Sequence, residues 1–275
     1  MKIPRLRFDG KTVLVTGASS GIGRESALAF AESGANLVLL ARRATELNRV
    51  AAAARRKGAS TLAVPTDVTK LPEVRSCFRK AVARFGRVDI VLNNAGVMIP
   101  AKTVELKRAD LQQMLDVNLF GALYTMQEAV HLMRQQGQGH VVNVASLAGR
   151  RGISPLGGYC ASKFALIGLT EALRMELAGE DIHLSLVLPG VVDTPMASKA
   201  QHDPASAGFW PEQLNMPPAW VVAAVFAAIR LRLTEVAVPP GAALLEKLAA
   251  LAPGTADSLM RLATDAAQRI VRSRR

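Results

Sequence analysis

Ser146, Tyr159 and Lys163 are the residues whose types and spacing best fit a proton transfer. Tyr159 and Lys163 stand four positions apart, so on a helix both side chains leave the same face. A free phenol has a pKa of about 10 and is a poor acid or base at neutrality. A nearby ammonium favours the phenolate and lowers that value. A general acid/base works best when its pKa lies near the working pH. Ser146 can donate a hydrogen bond to the same substrate oxygen. Standing alone, tyrosine and lysine at this spacing more often mark an ordinary amphipathic helix. The surrounding motifs reverse that reading.

The first of these is Thr16-Gly17-Ala18-Ser19-Ser20-Gly21-Ile22-Gly23, between a strand pattern and a helix pattern. Gly17 permits a tight turn. Gly21 and Gly23 remove side chains where a pyrophosphate would meet the helix N-terminus, whose free N–H groups and dipole favour an anion. The spacing is G-x3-G-x-G, not the longer dinucleotide fingerprint. At the end of the second strand stand Arg42 and Arg43, where an NAD-selective protein usually carries an acid for the ribose 2′-hydroxyl. A guanidinium fork suits a 2′-phosphate, so NADP(H) is expected over NAD(H). Asp67-Val68 and Asn93-Asn94-Ala95-Gly96 follow strands three and four. Asp67 can accept from an adenine amino group, and Ala95-Gly96 lets backbone pass close to a ribose. The plain alternative for the two asparagines is loop capping by Asx turns.

These motifs need a frame. Short β-branched runs at 12–16, 36–41, 60–65, 90–93, 140–145 and 183–188 read as strands, the fifth ending at Ser146. Helix patterns fall at 23–33, 45–57, 71–85, 109–134 as one long helix, and 159–178, which Tyr159 opens. Continuous apolar strands separated by helices describe a parallel sheet covered on both faces, hence a doubly wound, Rossmann-type α/β fold. Residues 194–218 are polar and rich in Pro and Gly, a long connector of the kind that forms lids. Beyond it lie a helix at 220–233, a seventh strand at 235–238, and helices at 242–251 and 257–271. The organisation expected is a single domain over 1–275. It divides into a cofactor and catalytic core (8–196), a substrate loop with helix and last strand (197–240), and a basic helical extension (241–275).

With these residues in order, the chain resembles a short-chain dehydrogenase/reductase. The resemblance spans about residues 8 to 196. It rests on TGASSGIG at 16–23, NNAG at 93–96, Asn118, Ser146, YCASK at 159–163 and PGVVDTPM at 189–196. It implies Tyr159 as the catalytic acid/base and Ser146 as the group that orients and polarises the carbonyl. It implies that Lys163 hydrogen-bonds the nicotinamide ribose and lowers the Tyr159 pKa, and that Asn118 holds a water continuing the proton relay. Pro189, Val192 and Thr194 are implied at the nicotinamide carboxamide, and Asn94, Ala95 and Gly96 along the ribose. Arg42 marks the NADP-preferring group, and dimers or tetramers through the long helices are the family habit.

Composition agrees with an enzyme of this kind. Of the 275 residues, 50% are hydrophobic and 20% charged, which excludes a disordered chain or a coiled coil. Cys77 and Cys160 are too few for a disulfide framework, which points to a reducing, cytoplasmic compartment. The four histidines show no metal-ligand spacing, so no metal is expected. No apolar window reaches membrane-spanning length, and the basic N-terminus lacks the apolar run of a signal peptide. The net charge of +12 is spread along the chain, and aromatics are only 4%, so nucleic acid is not the expected partner.

The expected partner is a small carbonyl compound or alcohol. Met196 is a substrate-side residue, with Ile153, Pro155, Leu156, Phe209, Trp210 and Met216 as apolar neighbours that favour a hydrophobic substrate. In the extension, Leu244, Leu245, Leu248 and Leu251 form one apolar stripe. Leu259, Leu262, Ala266 and Ile270 form another, opposed by Arg261, Arg269 and Arg272. They fit packing onto the domain or a second subunit, or peripheral contact with an anionic membrane. Two further functions share this residue set: a 3-oxoacyl-thioester reductase, and a catalytically silent nucleotide sensor or scaffold.

Overall fold

In a computed structural model, residues 6–206, 215–258 and 262 are described. Phe209 and Trp210, and most of the helix expected at 257–271, lie outside them. Seven strands form one sheet: β1 (Thr12–Thr16), β2 (Asn36–Ala41), β3 (Thr61–Pro65), β4 (Ile90–Asn93), β5 (Gly139–Val144), β6 (Ile182–Pro189) and β7 (Glu235–Val238). Their order is β3-β2-β1-β4-β5-β6-β7, and every pair is parallel. The sheet is the Rossmann-type doubly wound sheet expected.

Side-chain alternation divides the core. Val13, Val15, Leu37 and Leu39 face one layer, made by α1 (Gly21–Glu32), α2 (Ala44–Arg56) and α8 (Pro218–Leu231). Phe8, Phe30 and Phe226 close that layer, with ring centroids 4.7 to 5.3 Å apart. Leu14, Val38, Leu40 and Val91 face the other layer, made by α3 (Leu71–Phe85), α5 (Gly121–Gln136) and α6 (Gly157–Glu176). Because both faces are covered, β1 is buried at all five positions.

Three elements differ from the sequence reading. The run at 109–134 is not one regular helix. It is α4 (Arg108–Leu115), a π-helical turn at Asp116–Phe120, and α5. The turn tucks Asn118 inside, fully buried; wide turns of this kind often occur at functional sites. The polar connector after β6 contains a short helix, α7 (Pro195–Gln201), capped by Thr194, whose Oγ1 accepts from Ala197 N at 3.3 Å. Helix α6 begins two residues before Tyr159, and Ser146 lies beyond the end of β5 as the cap of a 3-10 turn, Leu147–Gly149. The last named helix is α9 (Ala242–Leu251).

Candidate active site

The sheet order reverses between β1 and β4, and the crevice at such a switch point is where α/β sheets bind ligands. Thr16 and Asn94 bridge it. Thr16 Oγ1 accepts from the backbone N–H groups of Asn94 (2.9 Å) and Ala95 (3.0 Å). Asn94 Nδ2 returns the bond to the carbonyls of Thr16 (3.1 Å) and Gly17 (3.3 Å). Gly17 has φ +66°, and a Cβ on Gly23 would collide with the Gly17 carbonyl and stand 2.5 Å from Asn94 Nδ2. The two glycines are therefore what let the turn close onto β4. Thr16 was legible only as part of the glycine motif; nothing in its spacing marked it as the bridge.

Helix α1 starts from this turn with Ser20 as its cap, yet Ser20 makes no side-chain hydrogen bond to the helix, and the first turn contains no acid. The helix end is thus left for an external anion. Arg43 donates to Ser19 Oγ at 3.2 Å and Ser20 Oγ at 3.3 Å, while Arg42 is exposed at the end of β2. Thr194 lies on the other side, its Cγ2 3.1 Å from where a Gly21 Cβ would stand. Free N–H donors, a turn opened by Gly17, Gly21 and Gly23, and two cations fit a dinucleotide phosphate.

Asp67 is held in an Asx turn, with Oδ1 accepting from Thr69 N and Oγ1 at 3.1 and 2.9 Å, and Val68 is buried beside it. The two asparagines at the end of β4 part company. Asn93 does not cap a loop. It is buried in the strand and donates to Asn143 Oδ1 at 2.9 Å, and Asn143 in turn donates to Thr170 Oγ1 at 2.8 Å. This polar seam ties β4, β5 and α6 together.

Ser146, Tyr159 and Lys163 converge at the end of β5. All three are buried, with Lys163 only 4% exposed. Ser146 Oγ donates to Pro189 O at 3.3 Å and accepts from Ala148 N at 3.1 Å. Lys163 Nζ stands 5.8 Å from the Tyr159 ring centroid and donates to Val144 O at 2.9 Å. Burial pushes the Tyr159 phenol up to about 12, against a lowering influence of the nearby Ser146 hydroxyl. Burial also brings Lys163 down to about 8. Desolvation disfavours the charged form of both groups.

Asn118 closes the site from the π-turn. Its Oδ1 accepts from Val97 N at 2.8 Å, and its Nδ2 donates to Val97 O and Ser162 Oγ, both at 2.9 Å. Ser162 Oγ donates to Tyr159 O at 2.7 Å, so Asn118 is linked to the turn that carries the phenol. Ser162 was not singled out in the sequence; its place three residues after Tyr159 was the available signal. A Cβ on Gly96 would stand 3.3 Å from Asn118 Oδ1 and 3.8 Å from both Lys163 Nζ and Met196 Cε, which locates Met196 over the same space. Val192 pairs with Met216 in an isolated bridge, and the cluster around Tyr159 includes Met114, Ala148 and Leu156. Among the described residues no group of His, Cys, Asp and Glu could hold a metal ion.

The model of the family described as short chain dehydrogenase matches residues 11–205, and the chain belongs to that family. It is 34% identical over 194 residues to a 3-oxoacyl-[acyl-carrier-protein] reductase, FabG, of Thermotoga maritima, covering 70% of this chain and 79% of that protein. A short chain dehydrogenase/reductase from Burkholderia phymatum in complex with NAD superposes with TM-score 0.79 at 30% identity, covering 88% of this chain and 94% of that one. Actinorhodin polyketide ketoreductase with NADPH superposes with TM-score 0.77 at 29% identity, covering 84% and 97%. The protein is an oxidoreductase of alcohol and carbonyl groups that uses a nicotinamide cofactor. One neighbour holds NAD and the other NADPH, so the choice between them rests on the side chains of this chain.

Proposed function

We propose an NADP(H)-dependent oxidoreductase that interconverts a ketone or aldehyde and the corresponding alcohol on a small, apolar substrate, with Tyr159 as acid/base. The observation that carries it is the buried convergence of Ser146, Tyr159 and Lys163 at the end of β5. The bound dinucleotide supplies or takes up the hydride. The N-terminus of α1, with Ser19, Ser20, Gly21 and Ile22, holds its pyrophosphate, and Arg42 and Arg43 hold the 2′-phosphate. Asp67 and Val68 flank the adenine; Asn94, Ala95 and Gly96 line the ribose. Pro189, Val192 and Thr194 meet the carboxamide, and Lys163 bonds the nicotinamide ribose.

Ser146 turns its single proton from Pro189 O, a long contact easily given up, to the substrate oxygen. Tyr159 then gives that oxygen its proton. Burial keeps the phenol protonated at neutral pH, so it holds the proton that reduction of a carbonyl requires. Asn118 fixes the Tyr159 turn through Ser162. Its side-chain atoms already have protein partners, so a relay water would be held chiefly by its backbone. Met196 borders the substrate. The test is NADPH consumption with ketones, aldehydes and oxoacyl thioesters, by the natural chain and Tyr159→Phe.

A 3-oxoacyl-thioester reductase is the second reading, favoured by the likeness to the Thermotoga protein; preference for thioesters in the same panel would select it. NADPH binding without turnover on any substrate would instead select a silent sensor or scaffold. A homodimer or homotetramer fits the open groove of about 300 Å³ between α5 and α6, lined by Leu123, Met126, Val130, Leu169 and Leu173; light scattering gives the subunit number. No helix among the described residues is long and apolar enough to cross a membrane. We propose a cytoplasmic protein, with peripheral lipid contact through the basic C-terminal stretch, tested by vesicle sedimentation with and without residues 255–275. The single-domain organisation over 1–275 belongs to the same proposal.

A further inference from the structure

The family match ends at residue 205, so membership assigns no role to the chain beyond β7. Helix α9 packs against β7 and against the Leu147–Gly149 turn that leaves Ser146. Two successive arginines follow that turn. Arg150 reaches inward, to Glu171 of α6 at 2.6 Å and to Glu235 of β7. Arg151 reaches the other way, to Asp257 Oδ1 at 2.5 Å and to the carbonyl of Pro253 at 3.3 Å. The Arg151 side chain is only 15% exposed although Asp257 is 64% exposed. The loop between the two tethers continues to Ile153 and Leu156, which pack with Tyr159 and Cys160. At its start, Leu147 Cδ1 and Met216 Cε both lie 3.4 Å from where a Gly190 Cβ would stand. The loop therefore touches the catalytic tyrosine at one end and the segment after β6 at the other.

We propose that Arg151 is a positioning residue that latches residues 241–258, through Asp257 and Pro253, to the 147–156 loop and so fixes where that loop sits on the substrate side of the site. The inference rests on the oxidoreductase reading for its kinetic consequence, though not for the latch itself. An ion pair with one exposed partner contributes little to global stability. Its loss therefore acts on where the loop sits rather than on whether the chain folds. Neither Arg151 nor Asp257 is among the residues assigned to the dinucleotide, so the main effect is expected on the carbonyl substrate and not on NADPH affinity.

The test compares the natural chain with Asp257→Ala, Arg151→Ala and Arg151→Lys. Asp257→Ala removes an exposed carboxylate and leaves the fold intact. The expected result is a KM for a bulky apolar ketone raised about threefold or more in both alanine variants, the scale of one exposed ion pair, with kcat and NADPH affinity unchanged. Arg151→Lys retains part of the effect, since an ammonium still pairs with Asp257. High salt raises the KM of the natural chain towards that of Asp257→Ala and leaves the variant's KM where it is. Backbone amides at 147–152 exchange hydrogen faster in Asp257→Ala, while those of β1 and α1 do not. Natural KM values in both alanine variants, or a cofactor affinity that falls in step with KM, would overturn the proposal. If the natural chain reduces no carbonyl compound, the oxidoreductase reading falls, and the exchange rates still decide the latch: unchanged rates at 147–152 exclude it.

Discussion

Arg43 lays its guanidinium on Ser19, 3.2 Å from Oγ, so a cation from the end of β2 covers the turn from which α1 begins. A hydroxyl is a weaker partner for a guanidinium than a phosphate, and charge-assisted bonds are about twice as strong as neutral ones. Arg43 and the exposed Arg42 therefore form a fork ready to trade hydroxyls for a 2′-phosphate. Arg42→Asp and Arg43→Asp should each weaken NADPH binding by about tenfold or more, as expected for losing a hydrogen bond to a charged group. NADH binding should change little or improve. Titration with both nucleotides checks this; equal loss for both would show that the arginines do not read the 2′ position.

Gly23 gives a steric prediction. A methyl there meets a backbone carbonyl and the Asn94 amide, neither of which can swing aside without breaking the bridge between β1 and β4. Gly23→Ala should lower Tm by several degrees and abolish nucleotide binding, whereas Gly58→Ala, in open space at a distant turn with φ +93°, should cost stability alone. Thermal melts with and without NADPH separate the two.

Lys163 should give NADPH capture an alkaline limb. Burial lowers its pKa from the usual 10.5 to about 8, so the cation that would hold the ribose is present below that pH and lost above it. kcat/KM for NADPH, which reports the free enzyme, should fall above about pH 8, and Lys163→Gln should have a lower, flat profile. A natural profile that stays flat to pH 10 would remove the lysine from cofactor binding.

The parallel sheet, the glycine turn ahead of α1 and the placing of Tyr159 and Lys163 on one helix were legible because each depends on local pattern: apolar runs for buried parallel strands, glycines at the turn, Tyr-x3-Lys at helical spacing. The π-turn at Asn118 was not, since residues 109–134 carry an uninterrupted helix pattern and the extra residue is accommodated only by packing against Val97 and Ser162. Helix α7 was hidden by a Pro-rich stretch, although Thr194-Pro195 is a cap followed by proline at the first helical position. The desolvation of Tyr159 and Lys163 was hidden for a related reason: spacing shows that a lysine is near, and only the fold shows that both groups are buried. The Arg151–Asp257 pair spans 106 residues and left no sequence signal.

His140 predicts the acid behaviour. It is buried on β5, and Ser185 Oγ donates to Leu233 O, so His140 Nε2 is the donor to Ser185 at 2.8 Å and the ring is neutral. Burial, then the neighbouring His183 and Arg232, lower its pKa to about 4 from the usual 6.5. Between those values the unfolded chain binds more protons, so this contribution is complete above about pH 6.5 and is lost as pH falls towards 4. The loss amounts to about 3 kcal/mol at 1.36 kcal/mol per unit. Urea unfolding across this range should show it, and His140→Gln should flatten the slope.

The most direct measurement is single-turnover reduction of a ketone by Tyr159→Phe, with NADPH binding measured on the same sample. Removing one phenolic oxygen should slow hydride transfer by about a hundredfold or more, the usual contribution of a positioned acid, and leave NADPH affinity within about twofold. A phenylalanine variant that turns over at the natural rate would contradict the assignment of Tyr159 as the proton donor.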